Sequence, residues 1–384
     1  MRTSTESPKV FGIGLIALDL VTGIDPESPI RSWAGGTCGN VLSILAYLGW
    51  DAFPIARMNG DAASQRVRVD MERWGVHLDF TACGPTSHTP IIIQEIRRGR
   101  DGSPTHRFSW SCPRCGRWLP GFKAVTLGAV ETVAPKLAGA AVFFMDRLSP
   151  AALRLASAAS EQGAIVVFEP SGKSDARLFK AALRHAHIVK YADQRLAEAG
   201  AVMQDGAATR LEIQTLGSRG LRYRHRLQHT VSDWAMLNAV PAPRLADTCG
   251  SGDWCTAGLL TKIASGGQAG LRTIDALGIE EALRYGQALA SWNCAYEGAR
   301  GGMYAVTHDQ FELQIEALLG GSPQQSVPAA ELTVDPTSVV TCPACPPGNL
   351  GLSGHCDGSS LPTTLQSVKV SVQASKPPAS FYCG

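Results

Sequence analysis

The chain has 384 residues, 45% hydrophobic and 18% charged, with 40 glycines and 23 prolines. Its 35 Lys and Arg stand against 33 Asp and Glu, a formal net charge of +2, which excludes a strongly polybasic surface built to hold duplex nucleic acid or anionic lipid. No apolar run approaches the roughly 18 residues of a membrane span, and 11 cysteines, an odd number with no secretion signal ahead of them, point to a reducing cytoplasm.

In chain order, residues 10–21 (VFGIGLIALDLV) read as one hydrophobic first strand with Asp19 at its end. Asp19 cuts the apolar run and no small-residue cleavage site follows, so the stretch reads as a strand rather than a signal. Residues 38–50 read as a helix opened by a glycine-rich turn. Residues 64–76 read as a second, with Val67, Met71 and Trp74 at spacings of three and four. Residues 89–110 break this rhythm: two alternating strands around Gly99-Arg100-Asp101-Gly102 predict a hairpin projecting as a lid, which extends to about residue 118. AAVFFM (140–145) and AIVVF (164–168) are short continuous apolar runs of the buried parallel-sheet kind, with a helix between them. Residues 187–191 and 211–217 continue the pattern. Repeated β–α–β units predict a doubly wound α/β/α sandwich with a small lid, filling residues 1–321 as one domain. Residues 322–384 are rich in Pro, Ser, Thr and Gly, carry four of the cysteines, and read as a tail or small appendage.

The most informative stretch is Asp247-Thr248-Cys249-Gly250-Ser251-Gly252-Asp253, which leads into an apolar helix. Two glycines and a serine at a helix start aim several backbone N–H groups at one spot, at the positive end of the helix dipole. Such a spot binds an anion and stabilises charge on a phosphoryl group in transit. Asp253, in the first turn, is placed to accept the proton of an attacking hydroxyl. Gly35-Gly36-Thr37-Cys38-Gly39-Asn40 opens an early helix. In a doubly wound sheet, strand ends and helix starts share the ligand-binding edge, where Asp19 and Asn40 would offer an acceptor and an amide to a polyol. Thr215-Leu216-Gly217-Ser218-Arg219-Gly220 ends a later strand with a glycine turn suited to close approach of a nucleotide.

Taken in order over roughly residues 10–315, these segments resemble the ribokinase-like, or PfkB, family of small-molecule kinases. DTCGSGD carries the resemblance most specifically; GGTCGN, MNGDAASQRVRVDMERWGV, TLGSRG and ALASWNCAYEGARGG follow the family's order. The resemblance implies ATP- and Mg²⁺-dependent phosphorylation of a hydroxyl on a sugar or nucleoside. By position it implies Asp253 as catalytic base, with Cys249, Gly250, Ser251 and Gly252 as the anion hole. It puts Asp19, Gly35, Gly36 and Asn40 at the acceptor, and Lys190, Thr215, Gly217, Gly220 and Asn293 by the nucleotide. It also makes the lid a candidate surface for a homodimer. One segment departs from the pattern: where the family carries Asn-x-x-Glu after a Lys, the chain reads Lys190-Tyr191-Ala192-Asp193-Gln194-Arg195. Glu169, at the end of a buried strand, is a candidate replacement. The departure motivates an alternative, a catalytically weak ribokinase-fold sensor that binds ligand and contacts a partner. Arg97, Arg98, Arg100 and Arg107 on the lid, with Arg57, are candidate receivers of an acidic group on the acceptor.

Cys112-Pro113-Arg114-Cys115 and Cys342-Pro343-Ala344-Cys345 are two C-x-x-C pairs whose spacing suits structural zinc. Combined, they would staple the tail to the lid region. A rival set uses Cys342, Cys345, Cys383 and either His355 or Cys356. Cys38, Cys83, Cys249, Cys255 and Cys294 read as packing residues.

Overall fold

The first apolar run is two strands rather than one in the computed structural model, which describes residues 6–321 apart from 25–30, 85, 100, 101, 103, 113, 114, 173, 174, 194–201, 206, 207, 228 and 229. β1 (Lys9–Ile13) and β2 (Ala17–Thr22) lie in different sheets. The chain turns out of the first sheet at Gly14, where any Cβ would overlap the Asp146 carboxylate, and at Leu15, whose N–H donates to Asp146 Oδ1 at 2.9 Å. Asp19 therefore sits inside β2, not at the end of the first strand.

β3 (Arg31–Gly35), α1 (Thr37–Tyr47), β4 (Asp51–Met58), α2 (Ala62–Arg73) and β5 (Thr81–Cys83) follow, then the antiparallel pair β6 (Ile91–Arg98) and β7 (Pro104–Ser109). The repeating part runs α3 (Gly128–Val133), β8 (Ala140–Met145), α4 (Pro150–Glu161), β9 (Ile165–Phe168), α5 (Ala176–Leu183), β10 (Ile188–Ala192), α6 (Val202–Asp205) and β11 (Leu211–Thr215). β12 (Leu221–Leu227), β13 (Thr230–Val231) and β14 (Ala235–Leu237) complete the strands. The helices α7 (Ser251–Ile263), α8 (Gly267–Thr273), α9 (Ala276–Asn293), α10 (Gly301–Ala305) and α11 (His308–Leu319) come last.

The larger sheet has the order β13-β12-β11-β10-β9-β8-β1-β4-β5, with β14 also on β12. From β11 to β5 all neighbours are parallel, and β12 adds antiparallel. β8 and β9 are buried along their whole length because helices cover both faces. Alternation along β8 divides the core. Val142 and Phe144 join Leu42, Trp254 and Leu289 of α1, α7 and α9, while Phe143 and Met145 join Leu155 and Leu183 of α4 and α5. α4 starts where a sequence rule puts it: Ser149 accepts from the Ala152 N–H, and Pro150 occupies the first turn.

The expected hairpin at 89–110 is β6–β7, but it belongs to a four-stranded sheet of order β3-β2-β6-β7, in which β2 and β6 pair in parallel. Among the described residues no helix is long and apolar enough to cross a membrane.

Candidate active site

Five strand ends of the larger sheet converge on one cavity of about 420 Å³. Leu15 follows β1, Arg147 follows β8, Glu169 follows β9, and Ala192 and Thr215 end β10 and β11; all five line it. This is the carboxyl edge at which open parallel sheets take their ligands. The starts of α1 and α7 form one wall, and Ile92, Phe108 and Trp110 face them from the smaller sheet and its continuation.

The α7 wall is organised by Asp247, which is 1% exposed. Its Oδ1 accepts the Cys249 N–H at 3.0 Å; its Oδ2 accepts the Gly298 N–H at 2.9 Å and Gln94 Nε2 at 2.8 Å. One carboxylate thereby fixes the glycine turn to β6 and to the loop after α9. Gly250 caps α7 with φ +75, and a side chain there would overlap the Ala299 backbone. Only glycine combines that left-handed backbone with so close an approach. Thr248 through Asp253 all line the cavity, so the helix start, with its N–H groups lacking intrahelical partners, opens onto it.

Asp253 lies in the first turn of α7 and accepts Asn40 Nδ2 at 2.8 Å. Asn40, 4% exposed on α1, is brought there by Gly36, the α1 cap at φ +77, whose missing side chain leaves room for the Leu15 carbonyl. Asp19 comes from β2. A Cβ at Gly35 would overlap its carboxylate, so Gly35 serves as the surface on which Asp19 rests and does not itself line the cavity. Burial pushes the Asp19 carboxyl up to about 6; the Gly36 N–H and the Arg300 charge oppose that shift without cancelling it. Arg300, 1% exposed, forms a buried pair with Asp70 at 2.9 Å and also donates to the Ala34 carbonyl, while the Ala34 N–H donates to Asp70 at 2.8 Å. This pair fixes β3 and the Gly35-Gly36 turn from below.

Adjoining the α7 wall, Lys190 Nζ meets Glu169 Oε2 at 2.8 Å, and the Thr256 hydroxyl donates to Glu169 Oε1. Burial alone would lower the Lys190 ammonium; the adjoining Glu169 outweighs it and holds the lysine charged, above its usual value. Lys190 stands beneath the glycine turn, 3.6 Å from where a Gly252 Cβ would be.

The expected residues therefore divide. Asp19, Gly36, Asn40, Lys190, Thr215, Cys249, Gly250, Ser251, Gly252 and Asp253 share one cavity. Gly217, Gly220 and Asn293 do not line it. Gly220 packs against β14, where a side chain would overlap the Leu237 carbonyl. Asn293 is a brace: Nδ2 donates to the Gly298 and Ala299 carbonyls at 3.2 and 3.1 Å, and Oδ1 accepts the Gly302 N–H. Of the lid arginines, Arg97 pairs with Glu95, and Arg98 and Arg107 are exposed; Arg57 donates to Ser87 and the Ala124 carbonyl. None of these lines the cavity, and Arg100 lies outside the described residues. Arg147, which does line it, carries no motif signal.

The zinc expectation finds no support. The Gly116 N–H, at φ +69, donates to the Cys112 carbonyl at 2.8 Å. Cys112 is buried and Cys115 exposed, and no group of three or more His, Cys, Asp or Glu among the described residues could hold a metal. Cys342, Cys345, His355, Cys356 and Cys383 lie outside the described residues.

A profile of the pfkB family carbohydrate kinases matches residues 21–305. No curated protein matches the sequence. Among solved structures, a Xylella fastidiosa fructokinase with bound ATP superposes with a TM-score of 0.63 at 18% identity, covering 82% of this chain and 98% of that one. An Arabidopsis thaliana ribokinase complexed with ribose and ATP gives 0.59 at 18% identity, covering 82% and 99%. A Burkholderia thailandensis nucleoside kinase in complex with inosine gives 0.57 at 19% identity, covering 81% and 97%. At these identities the likeness is one of fold.

Proposed function

The chain belongs to the pfkB family of carbohydrate kinases, phosphotransferases with an alcohol group as acceptor, and we propose that it moves the γ-phosphoryl group of ATP to a hydroxyl of a sugar or nucleoside with Asp253 as general base. The observation that carries this reading is the meeting of Asp253, Asn40 and the glycine turn at one cavity wall. The acceptor lies against Asp19, Gly36 and Asn40. Asn40 donates to Asp253 Oδ2 and orients the carboxylate, which takes the proton of the attacking hydroxyl. Charge developing on the phosphoryl oxygens falls at the α7 N-terminus, on the Gly250 and Gly252 N–H groups and the helix dipole, since the Cys249 N–H is held by Asp247 and the Ser251 N–H by the Thr248 carbonyl.

The cavity fits the phosphates of a nucleotide: a turn that only Gly250 permits, and a charged Lys190 beneath Gly252. It fits a magnesium ion held directly by carboxylates less well. Glu169 is committed to Lys190 and Thr256, and Asp193, in the departing segment, pairs with Arg219 at 3.1 Å. Lys190 supplies positive charge where the family's Asn-x-x-Glu is lacking. The sheet β3-β2-β6-β7 serves as the lid, excluding water through Ile92, Phe108 and Trp110.

Asp253→Asn tests the assignment. It keeps the shape and an acceptor for Asn40 while removing the base, so turnover falls roughly 100- to 10,000-fold with acceptor affinity retained. Unchanged turnover, measured as ADP release, would overturn the role.

A further inference from the structure

Arg147 makes the cavity more specific than a site for neutral polyols. We infer that the acceptor carries an oxyanion, a carboxylate or phosphate monoester, which Arg147 receives beside Asp19 and Asn40. This rests on the kinase reading above and narrows its acceptor class.

The placement of the guanidinium is built into the fold. Asp146 directly follows the buried strand β8; its Oδ1 takes the Leu15 N–H at 2.9 Å and its Oδ2 takes Arg147 Nη1 at 2.7 Å. Leu15 in turn stands against Gly36, so the Asp146–Arg147 unit is tied to the wall that carries the acceptor residues. The hydrogen bonds of Arg147 all leave from Nη1, to Asp146 Oδ2 and to the Asp146 carbonyl at 3.1 Å. Among the described residues, the edge formed by Nε and Nη2 has no acceptor. That edge presents two parallel N–H groups, the fork that matches a carboxylate or phosphate bidentately. The side chain is 26% exposed and lines the cavity.

The surrounding charges favour this use of Arg147. Lys190, the other cation on the cavity wall, is tied to Glu169 at 2.8 Å beneath the glycine turn, on the side assigned to the nucleotide phosphates. The Asp146 charge lies behind Arg147 and is 1% exposed, so the cation and not its counter-ion meets the cavity. Hydroxyls alone match the charge of this fork poorly, whereas a carboxylate or phosphate matches both its charge and its geometry. Among the described lid arginines, Arg97, Arg98 and Arg107, none lines the cavity.

The test compares acceptors in pairs: gluconate with glucose, ribonate with ribose, and ribose phosphate with ribose. ADP formation is read with the wild-type chain and with Arg147→Met and Arg147→Lys. Binding is read by calorimetry on the Asp253→Asn chain, with and without Arg147→Met. The wild-type chain should prefer an anionic member. The preference, as a ratio of kcat/KM values, should fall about 10- to 100-fold in Arg147→Met. Arg147→Lys keeps a charge for Asp146 but lacks the fork, and should recover the ratio in part. Ribonate and gluconate against ribose phosphate tells carboxylate from phosphate. Binding of an anionic acceptor that depends on Arg147, with no ADP formed, would support the inference while removing the kinase reading. Three outcomes overturn the inference and leave the kinase reading intact: preference for the neutral members, a ratio unchanged in Arg147→Met, or equal kcat losses on both members of a pair. The last would assign Arg147 to the transferring phosphoryl group.

Discussion

Two aspartates a short way apart in the cavity live in opposite circumstances. Asp253 is met by the Asn40 amide at a helix start, whereas Asp19 is buried against Gly35 and pushed from 3.8 up to about 6. A raised carboxylate means that the folded chain holds its proton more tightly than the unfolded chain. The stability so gained is present below 3.8 and lost as pH rises to about 6, and above that the buried charge costs roughly 3 kcal/mol. Two outcomes follow. The acceptor kcat/KM should climb about tenfold per pH unit up to about 6 as Asp19 becomes an acceptor. Asp19→Asn should lose that limb, and should raise Tm at neutral pH more than at about pH 4. A Tm difference independent of pH would show that Asp19 is not held as described. Asp253 and Asn40 were legible in the sequence because short motifs at helix starts carry them, and Asp19 because it interrupts an apolar run. The Glu169–Lys190 pair was only half legible. It depends on the parallel register that sets Phe168 opposite Val189 and so brings the next residues together. Arg147 was not legible at all: a single arginine after an apolar run has no period and no spacing to mark it.

Elements meet at Asp247. Through it the start of α7, the loop after α9 and strand β6 share one carboxylate, so the position of the smaller sheet and the shape of the glycine turn are mechanically joined. Gln94 is fully buried on β6, and Gln94→Leu deletes its donation to Asp247 while leaving those of Gly298 and Cys249. The loss of a buried hydrogen bond to a charged group should lower stability by about 1.5–3 kcal/mol. It should also raise KM for both substrates, checked by urea unfolding and initial rates. Unchanged stability and KM would mean that the join is incidental. The elements themselves were largely legible, because β8, β9 and α4 announce themselves by continuous apolar runs and a Ser-Pro start. The division of residues 10–21 was not. It is decided by what Gly14 and Leu15 meet, the Asp146 side chain some 131 residues away. For the same reason the parallel pairing of β2 with β6, which makes a four-stranded sheet out of an expected hairpin, has no local signal.

Across the whole molecule, a mixed sheet with helices on both faces delivers five strand ends to one edge, and a second sheet stands over that edge. The order of β–α units made the first sheet legible, and the order of motifs made the family legible. The near-neutral charge of +2 fits an enzyme whose partners are small molecules rather than polyanions. The central claim is that this edge transfers a phosphoryl group. Its most direct measurement is ADP formation from ATP by the wild-type chain, with and without each acceptor of the paired panel, followed by detection of the phosphorylated acceptor. The account predicts acceptor-dependent ADP with a matching phosphoester. Stabilisation of the chain by ATP and acceptor together, with neither ADP nor phosphoester formed, would contradict it.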